Sequence, residues 1–344
     1  MRIVHIVGAS LVRNTPARTA RYWGTHTEHT GTAICIAKPE KPPFTPGRLF
    51  KEPLLNPYGY YCCAGKRWRS DQKLPAEAEA LIERADVLHF HDDGYPSMIA
   101  SLRDRKDKIM VYQGHIGDLA SRVFGRCFDY DKRVKHACIT NGYGRIFDEA
   151  EKKRRTPVKW GRLADVLEID HPLFMPPPEP RPLDGPLRVV YTFSNRAARG
   201  ARINAKAPDE TKALVQGIKG VDFQWVTNVS FERSMDYKRW AHVVLDEVFT
   251  PYTNLSTLEG ACAGSCVLVN FDDYTRNDLC DWLGAPRESY PFTKVTPETL
   301  RDTIEALRDR PEVALERGRT ARAWIERWYG TRRLLERYVE FYRS

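Results

Sequence analysis

The proline-rich segment HPLFMPPPEPRPLDGP, at residues 171–186, constrains the fold of this chain more than any other feature. Its seven prolines fix φ and remove backbone N–H donors, so the segment cannot form a helix or a central strand. It predicts a stiff connector between two halves of similar size. Because the chain has 344 residues, each half is long enough to build its own hydrophobic core.

Both halves alternate apolar segments of strand character with amphipathic segments of helical character. In the first half the sequence predicts strands at 2–8, 31–37, 86–91, 108–114 and 136–142, and helices at 17–28, 75–85 and 97–105. In the second half it predicts strands at 187–193, 222–227, 242–248 and 266–269, and helices at 209–218, 234–241, 256–263 and through most of 297–344. Residues 38–72, rich in Pro, Gly and Tyr, are predicted to form a long loop. The alternation predicts an α/β fold with two parallel sheets, each covered on both faces.

The composition indicates which broad class of protein this chain belongs to. Apolar residues make up 42% of the chain and charged residues 29%, which is typical of a soluble globular protein. No run approaches the roughly 18 apolar residues of a membrane helix, and MRIVHIVGAS lacks the pattern of a secretion signal. The eight cysteines follow neither a zinc pattern nor a disulfide framework. These features predict a cytoplasmic protein.

The net charge of +9 lies almost entirely in the first half. Residues 1–178 hold 29 Lys and Arg against 21 Asp and Glu, whereas residues 179–344 hold 25 against 24. A basic half favours an anionic partner, which could be nucleic acid, a phosphorylated glycan or an acidic membrane. The aromatic and basic segment YGYYCCAGKRWRS (58–70) could serve as a base-stacking surface or as a peripheral membrane contact.

One carboxylate stands inside the small and apolar segment YTNLSTLEGACAGSCVLVN (252–270). The pattern predicts a short helix over 256–263, with Ser256 or Asn254 as the N-cap, and places Glu259 in its first turn. A carboxylate packed this tightly requires a partner, because an unpaired buried charge is costly. The residues alone leave two interpretations open: a ligand-binding carboxylate, or one that faces solvent or pairs with an arginine.

Three segments of the second half occur in an order that is similar to the motifs of a known family. FSNRAARGARINAKAPDETKAL (193–214), YKRWAHVVLDEV (237–248) and LEGACAGSCVLVN (258–270) resemble those of the retaining group-1 glycosyltransferases. The resemblance covers residues 187–344, and the first half only in the order of its strands. It implies the GT-B architecture, in which two Rossmann-like parallel-sheet domains face each other across a cleft.

The resemblance and the proline-rich segment together predict four parts of the chain. An acceptor-side Rossmann-like domain spans 1–178, a proline-rich linker 179–186, and a nucleotide-sugar donor domain 187–325. A final helix, 326–344, is expected to cross back to the first domain.

The resemblance also implies which residues hold the donor. Glu259 would accept hydrogen bonds from the ribose hydroxyls of a nucleotide-sugar. Arg196 and Lys206 would neutralise the diphosphate, whose negative charge grows as the glycosidic bond breaks, although Arg199 or Arg202 could take either role. The other donor-binding residues it implies are Asn195, Gly8, Ser256 and Leu255.

In the first half the resemblance implies catalytic or acceptor-side residues after two strands. His115, in VYQGHIGD, would lie near the C6 hydroxyl of the sugar or the reacting centre. His91 and Asp93, in HFHDDGYP, would orient an acceptor hydroxyl together with Asp92. Either aspartate could instead cap the helix that follows.

The sequence departs from the family at the donor sugar. Pro251 stands where the family has a second glutamate, eight residues before Glu259, and the identity of the sugar cannot be carried over. Asp246 could compensate for the missing carboxylate. No cofactor and no metal ion are expected, because cationic side chains and helix dipoles can replace the metal and because HDD and FDD lack the Asp-x-Asp spacing.

The sequence therefore predicts a hexosyltransferase-like enzyme that moves a sugar from a nucleotide-sugar donor to an acceptor hydroxyl, with retention implied by the family. The acceptor is expected to be anionic: a hydroxymethylated DNA base, reached by partial extrusion from the duplex, or a phosphorylated envelope glycan or lipid-linked sugar. A hypothesis from another class is a catalytically inactive nucleic-acid-binding protein with a degenerate GT-B fold, which the loss of the second glutamate favours.

Overall fold

The computed structural model describes two compact units. The described residues are 1–7, 15–35, 60–62, 76–91, 105, 107–114, 134–139, 144–145, 148, 160–164, 166–167, 169, 174–175, 177, 180–193, 208–227 and 229–344. The first unit comprises Met1–Ile139, Tyr143–Val166 and Arg332–Ser344, and the second is built mainly of Leu167–Thr331.

The helices and strands follow one another in the alternating order that the sequence predicts. The strands are β1 (Arg2–Val7), β2 (Thr30–Cys35), β3 (Tyr60–Cys62), β4 (Val87–His91), β5 (Ile109–Gly114), β6 (Val134–Ile139), β7 (Trp160–Leu163), β8 (Leu187–Phe193), β9 (Val221–Thr227), β10 (Val243–Leu245), β11 (Cys266–Val269) and β12 (Thr293–Lys294). The helices are α1 (Thr15–His26), α2 (Ala76–Arg84), α3 (Pro208–Val215), α4 (Phe231–Trp240), α5 (Leu255–Cys262), α6 (Asp273–Leu283), α7 (Leu300–Asp309), α8 (Pro311–Trp328) and α9 (Thr331–Arg343).

The first unit is built on a seven-stranded parallel sheet in the order β3-β2-β1-β4-β5-β6-β7. Residues 3–6 of β1 and all of β4 are buried, which explains why these strands are mainly apolar. In the register of these two strands, His5 lies opposite His89. The sheet therefore brings polar side chains of separate segments together inside the unit.

The last helix packs on this first sheet. Lys135 of β6 donates its ammonium to the carbonyl oxygens of Phe341 and Tyr342 at 3.3 and 2.8 Å. The Tyr338 hydroxyl donates to the carbonyl oxygen of Ala164 at 2.8 Å. A lysine at the end of α9 suits the unpaired carbonyl oxygens and negative partial charge there. Residues 332–344 thus belong to the first unit.

The second unit is built on a five-stranded parallel sheet in the order β12-β11-β10-β8-β9. One core joins the inward side chains of β8, β10 and β11, among them Val189, Leu245 and Leu268, to helices α7 and α8. On the other side α5 presses against β10 and β11, because Gly260 has no side chain to hold it away. A Cβ there would meet Val244 at 3.0 Å and Val267 at 3.1 Å.

The predicted fold class, α/β with two parallel sheets, is confirmed. All nine predicted strands have a counterpart, although the strand predicted at 242–248 is shorter, Val243–Leu245, and some predicted ends lie outside the described residues. The predicted helices at 17–28, 75–85, 209–218, 234–241 and 256–263 also occur. No described residue of the proline-rich segment belongs to a helix or strand. The predicted helix at 97–105 lies, except for Arg105, outside the described residues.

The sequence missed four elements, and the prediction of one continuous loop at 38–72 is wrong. Within it, β3 pairs with β2 at the edge of the first sheet. Strands β7 and β12 are also short edge strands, and too few residues define their alternation. Helix α6 was missed although Asp272 caps it by accepting a hydrogen bond from the backbone N–H of Thr275 at 3.0 Å.

Candidate functional site

Helix α5 begins just after the carboxyl end of β10, at the edge of the sheet where parallel sheets bind ligands. Asn254 is the N-cap, with φ −103° and ψ 174°, so the alternative N-cap Ser256 is wrong. Glu259 is consequently the fifth residue of the helix and not part of its first turn. The electropositive helix terminus contributes less to this carboxylate than the sequence predicted, because that effect falls off within the first turn.

The partner of Glu259 is a lysine from the neighbouring helix. The Lys238 ammonium, on α4, donates to Oε2 of Glu259 in a short ion pair. The Lys238 side chain is 1% exposed and the Glu259 side chain 10% exposed. The partner of this buried carboxylate is therefore a lysine, and not the arginine that the sequence left open.

Several contacts hold the lysine in place. Its ammonium lies 3.3 Å from the hydroxyl oxygen of Ser234, one turn earlier on α4. The Ser265 hydroxyl bonds to the carbonyl oxygens of Lys238 and Ala241, at 2.7 and 3.0 Å. The end of α4 is thereby tied to the turn between α5 and β11, so both members of the ion pair sit on fixed backbone.

The first turn of α5 contacts the end of β8. The Ser256 hydroxyl lies 3.1 Å from that of Thr192, and both side chains are buried. Leu255 is half-buried beside it. Thr192 is the penultimate residue of β8, so the predicted donor-binding residues Ser256 and Leu255 stand next to the carboxyl end of that strand.

Asp246 and Glu247 follow β10 directly and are fully buried. Oδ2 of Asp246 accepts hydrogen bonds from the backbone N–H of Asn254 at 3.0 Å and from the Thr257 hydroxyl at 2.6 Å. Oε1 of Glu247 accepts from the backbone N–H groups of Phe249 and Thr250. These carboxylates shape the segment that leads into α5. Asp246 fixes the start of that helix, and its compensation for the missing glutamate stays a prediction.

Predicted catalytic residue His91 lies inside the first sheet, next to His5 and His89. The three side chains are 2%, 0% and 0% exposed. The rings of His89 and His91 stack at 4.4 Å between centroids. Nδ1 of His89 lies 2.7 Å from the hydroxyl oxygen of Tyr342, on α9.

The hydrogen bonds of His5 determine its tautomer. The indole N–H of Trp23 donates to Nε2 of His5 at 2.9 Å, so a neutral His5 carries its proton on Nδ1 and donates it to Nε2 of His91 at 2.9 Å. Burial lowers the pKa of His5 to about 3, which keeps the ring neutral.

The same three histidines are the group, among the described residues, whose nitrogen atoms lie close enough to share a metal ion, all within 4.8 Å. Both nitrogens of His5 are already used, one as acceptor for Trp23 and one as donor to His91. Coordination through Nδ1 would require a proton on Nε2, directed at the indole N–H. The hydrogen bonds of His5 therefore orient His91 and leave His5 no free nitrogen for a metal ion.

Some predicted site residues fall outside the described part of the chain. They are Gly8, Asp93, His115, Asn195, Arg196 and Lys206. Lys238, by contrast, was missed. A signal for it existed, since Met235 and Lys238 stand three residues apart on a predicted helix and share its buried face.

No protein-family model matches the sequence, and no curated protein sequence is significantly similar to it. Solved structures do match over the full length. Anabaena HepE in complex with UDP and glucose has a TM-score of 0.65 at 9% identity, covering 99% of this chain and 98% of that one. A glycosyltransferase from Rickettsia africae has a TM-score of 0.63 at 12% identity, covering 99% and 97%.

Sucrose-phosphate synthase from Thermosynechococcus elongatus is a third example, with a TM-score of 0.61 at 12% identity over 100% of this chain and 98% of that chain. At these identities the likeness defines the fold alone. The chain has the GT-B fold of nucleotide-sugar glycosyltransferases, as the sequence predicted. Within the described residues, no helix combines the length and hydrophobicity that crossing a membrane requires.

Proposed function

We propose that this protein is a glycosyltransferase that moves a hexose from a nucleotide-sugar donor to an acceptor hydroxyl, with retention at the anomeric carbon. The observation that carries the proposal is the Glu259 carboxylate, held by a buried lysine beside the ligand-binding edge of the second sheet. A core residue would not need this ion pair, because apolar residues of similar volume are often as stable.

Glu259 would bind the ribose of the donor. A carboxylate accepts hydrogen bonds only, so it suits a pair of hydroxyl groups. Arg196 and Lys206, both outside the described residues, would neutralise the diphosphate and stabilise the negative charge that develops on the leaving nucleotide. HepE contains UDP and glucose in its structure, which makes UDP-glucose the first donor to test.

The acceptor we propose is anionic, because the first 178 residues carry a net charge of +8. A hydroxymethylated base in duplex DNA and a phosphorylated envelope glycan both fit that chemistry. Peripheral contact with an acidic membrane and a cytoplasmic location stay predictions.

An inactive nucleic-acid-binding protein is the second candidate function. It is favoured by one observation: the segment from Val248 to Leu258 contains no carboxylate, and Asp246 is engaged in holding the start of α5. Such a donor site lacks the second glutamate that the family places next to the sugar, because Pro251 stands at that position.

The experiment that separates these candidates measures nucleotide release by the purified protein across UDP-, GDP- and ADP-sugars. Each donor is supplied alone, with plain duplex DNA, with hydroxymethylated duplex DNA, and with a phosphorylated glycan. Glu259→Ala serves as the site control. Release that requires modified DNA or the glycan identifies the acceptor, whereas slow release from one donor alone supports the enzyme without its acceptor. If no donor is turned over, the inactive-protein hypothesis replaces this proposal.

A further inference from the structure

We propose that Lys238 is a positioning residue for nucleotide recognition, which fixes one oxygen of Glu259 so that the carboxylate distinguishes a ribonucleotide from its 2′-deoxy analogue. The inference rests on the proposed function and adds a residue from α4 to which the family resemblance assigns no role. Lys238 acts through Glu259 and does not itself touch the nucleotide.

The exposure of the two side chains supports this division of roles. At 1% the lysine is sealed from solvent, whereas Glu259 keeps 10% of its side-chain surface accessible. The lysine is therefore less accessible to a ligand than the glutamate, as a positioning residue behind a binding residue would be. A carboxylate offers about four acceptor positions, and Lys238 takes one of them on Oε2. Enough acceptor capacity remains for the two hydroxyls of a ribose.

Other cations near α5 do not perform this role. Arg181 donates to the carbonyl oxygens of Ala263 and Gly264, both at 2.8 Å, and Arg322 to that of Cys262 at 2.9 Å. Both arginines thus pair with the carbonyl oxygens that a helix end leaves unsatisfied. Lys238 is the cation that pairs with the Glu259 carboxylate in the described part of the chain.

The pair is also mechanically fixed, which a positioning role requires. Lys238 lies on the buried face of α4, its ammonium contacts the Ser234 hydroxyl, and its carbonyl oxygen accepts from Ser265. Gly260, the next residue after Glu259, holds α5 against the sheet. Neither end of the ion pair can move without disturbing packed backbone, so the carboxylate keeps one orientation.

The test compares affinities for ribo- and 2′-deoxyribonucleoside diphosphates by titration calorimetry, using UDP with dUDP, GDP with dGDP, and ADP with dADP. A hydrogen bond to a charged acceptor predicts that the wild-type protein prefers the ribonucleotide about tenfold or more. In Lys238→Met this ratio falls toward one, as it does in Glu259→Gln, while binding of the deoxy analogue changes little. The double variant falls no further, because the two residues act as a unit.

Arg239→Ala is the matched control, since Arg239 lies on the same helix and its guanidinium pairs with Asp236 away from the carboxylate. Its ribose preference should equal that of the wild type. If Lys238→Met does not fold, Lys238→Gln carries the test with the same expected fall. If Lys238 has only a structural role, its replacement weakens binding of the ribonucleotide and of the deoxy analogue equally, and the ratio of the two affinities stays unchanged. That result overturns the inference. If no nucleotide binds the wild-type protein, the proposed function itself fails.

Discussion

The second unit contains a buried ion pair between Lys238 and Glu259. Lys238 comes from a helix and Glu259 from another, 21 positions later in the chain. Burial of both groups makes each dependent on the other, because removing one partner leaves an uncompensated charge away from water.

Lys238→Met should therefore lower the free energy of unfolding of the second unit by about 3 kcal/mol. The double variant, Lys238→Met with Glu259→Gln, should recover most of that loss, since no unpaired charge remains. Equilibrium unfolding in urea measures both values. Equal destabilisation in the single and double variants would mean that the lost packing of the lysine, and not its charge, causes the effect.

His5 makes the stability of the first unit dependent on pH. Its pKa is lowered from 6.5 to about 3 by burial, so the contribution of the neutral ring is fully present above pH 6.5. As the pH falls below 6.5, His5 binds a proton in the unfolded chain but stays neutral in the folded chain. The free energy of unfolding should then fall by ~1.4 kcal/mol per pH unit from this group alone, until about pH 3.

His5→Asn should reduce that slope by the same amount, because asparagine does not titrate. Chemical unfolding at a series of pH values between 4 and 7, monitored in parallel for wild type and variant, provides the comparison. Identical slopes for the two proteins would show that His5 is not neutral and buried in the folded state.

At the scale of elements, α8 packs closely against the turn between α5 and β11. A Cβ on Gly318 would overlap the carbonyl oxygen of Gly264, so glycine is required there. Gly318→Ala should destabilise the second unit by about 1–3 kcal/mol through overpacking. In Gly330→Ala the new methyl group meets no atom within 4 Å and serves as the control. The midpoints of thermal unfolding of the two variants test this prediction. Equal midpoints would contradict the close approach of Gly318 to the carbonyl oxygen of Gly264.

The proline-rich segment is held to the second unit by the guanidinium of Arg181. Its Nη1 donates to Gly264, Nη2 to Ala263 and Ser265, and Nε to the carbonyl oxygen of Arg239. A lysine lacks this planar set of donors. Arg181→Lys should cost about 1–3 kcal/mol, because buried carbonyl oxygens lose their partners.

Arg301→Lys, at an exposed position whose side chain pairs with Glu305 at 3.9 Å, is the corresponding control and should change stability by less than about 0.5 kcal/mol. Urea unfolding distinguishes the two substitutions. A variant at Arg181 as stable as this control would mean that water replaces the guanidinium without cost.

The elements that the sequence predicted share one property: their pattern is local. The apolar runs of β1, β8 and β11 are long enough to identify buried strands, and the small residues of α5 correctly predicted its close contact with the sheet. The three-residue strand β3 has no such pattern, and its pairing partner β2 lies 25 residues earlier. Edge strands of this length form because they pair with a distant strand, and the spacing of residues in the sequence does not reveal that pairing.

Only those parts of the candidate site that a single residue reveals could be predicted from the sequence. Glu259 stands out because it interrupts an apolar run, but its partner is supplied by tertiary packing from α4. For Asp246 the sequence suggested only that it could compensate for the missing glutamate. Its hydrogen bonds with the backbone N–H of Asn254 and the hydroxyl of Thr257, eight and eleven positions later, could not be predicted from the sequence.

At the scale of the whole molecule, the fold and the distribution of charge provide separate information. The GT-B fold is defined over the full length by its structural neighbours. The excess positive charge belongs to residues 1–178, and the clusters at 65–69, 131–133 and 151–155 lie outside the described part of the chain. The proposed donor site can therefore be tested on residues of the second unit, without knowledge of the acceptor.

The most direct test of the donor site is the rate at which UDP is released from UDP-glucose by the wild-type protein, Glu259→Gln, and Glu312→Gln as an exposed control on α8. Wild type and control should release UDP at the same rate, and Glu259→Gln at a rate at least about tenfold lower at subsaturating donor, because a hydrogen bond to the ribose is lost. Equal rates in all three proteins would contradict the assignment of the donor site to Glu259.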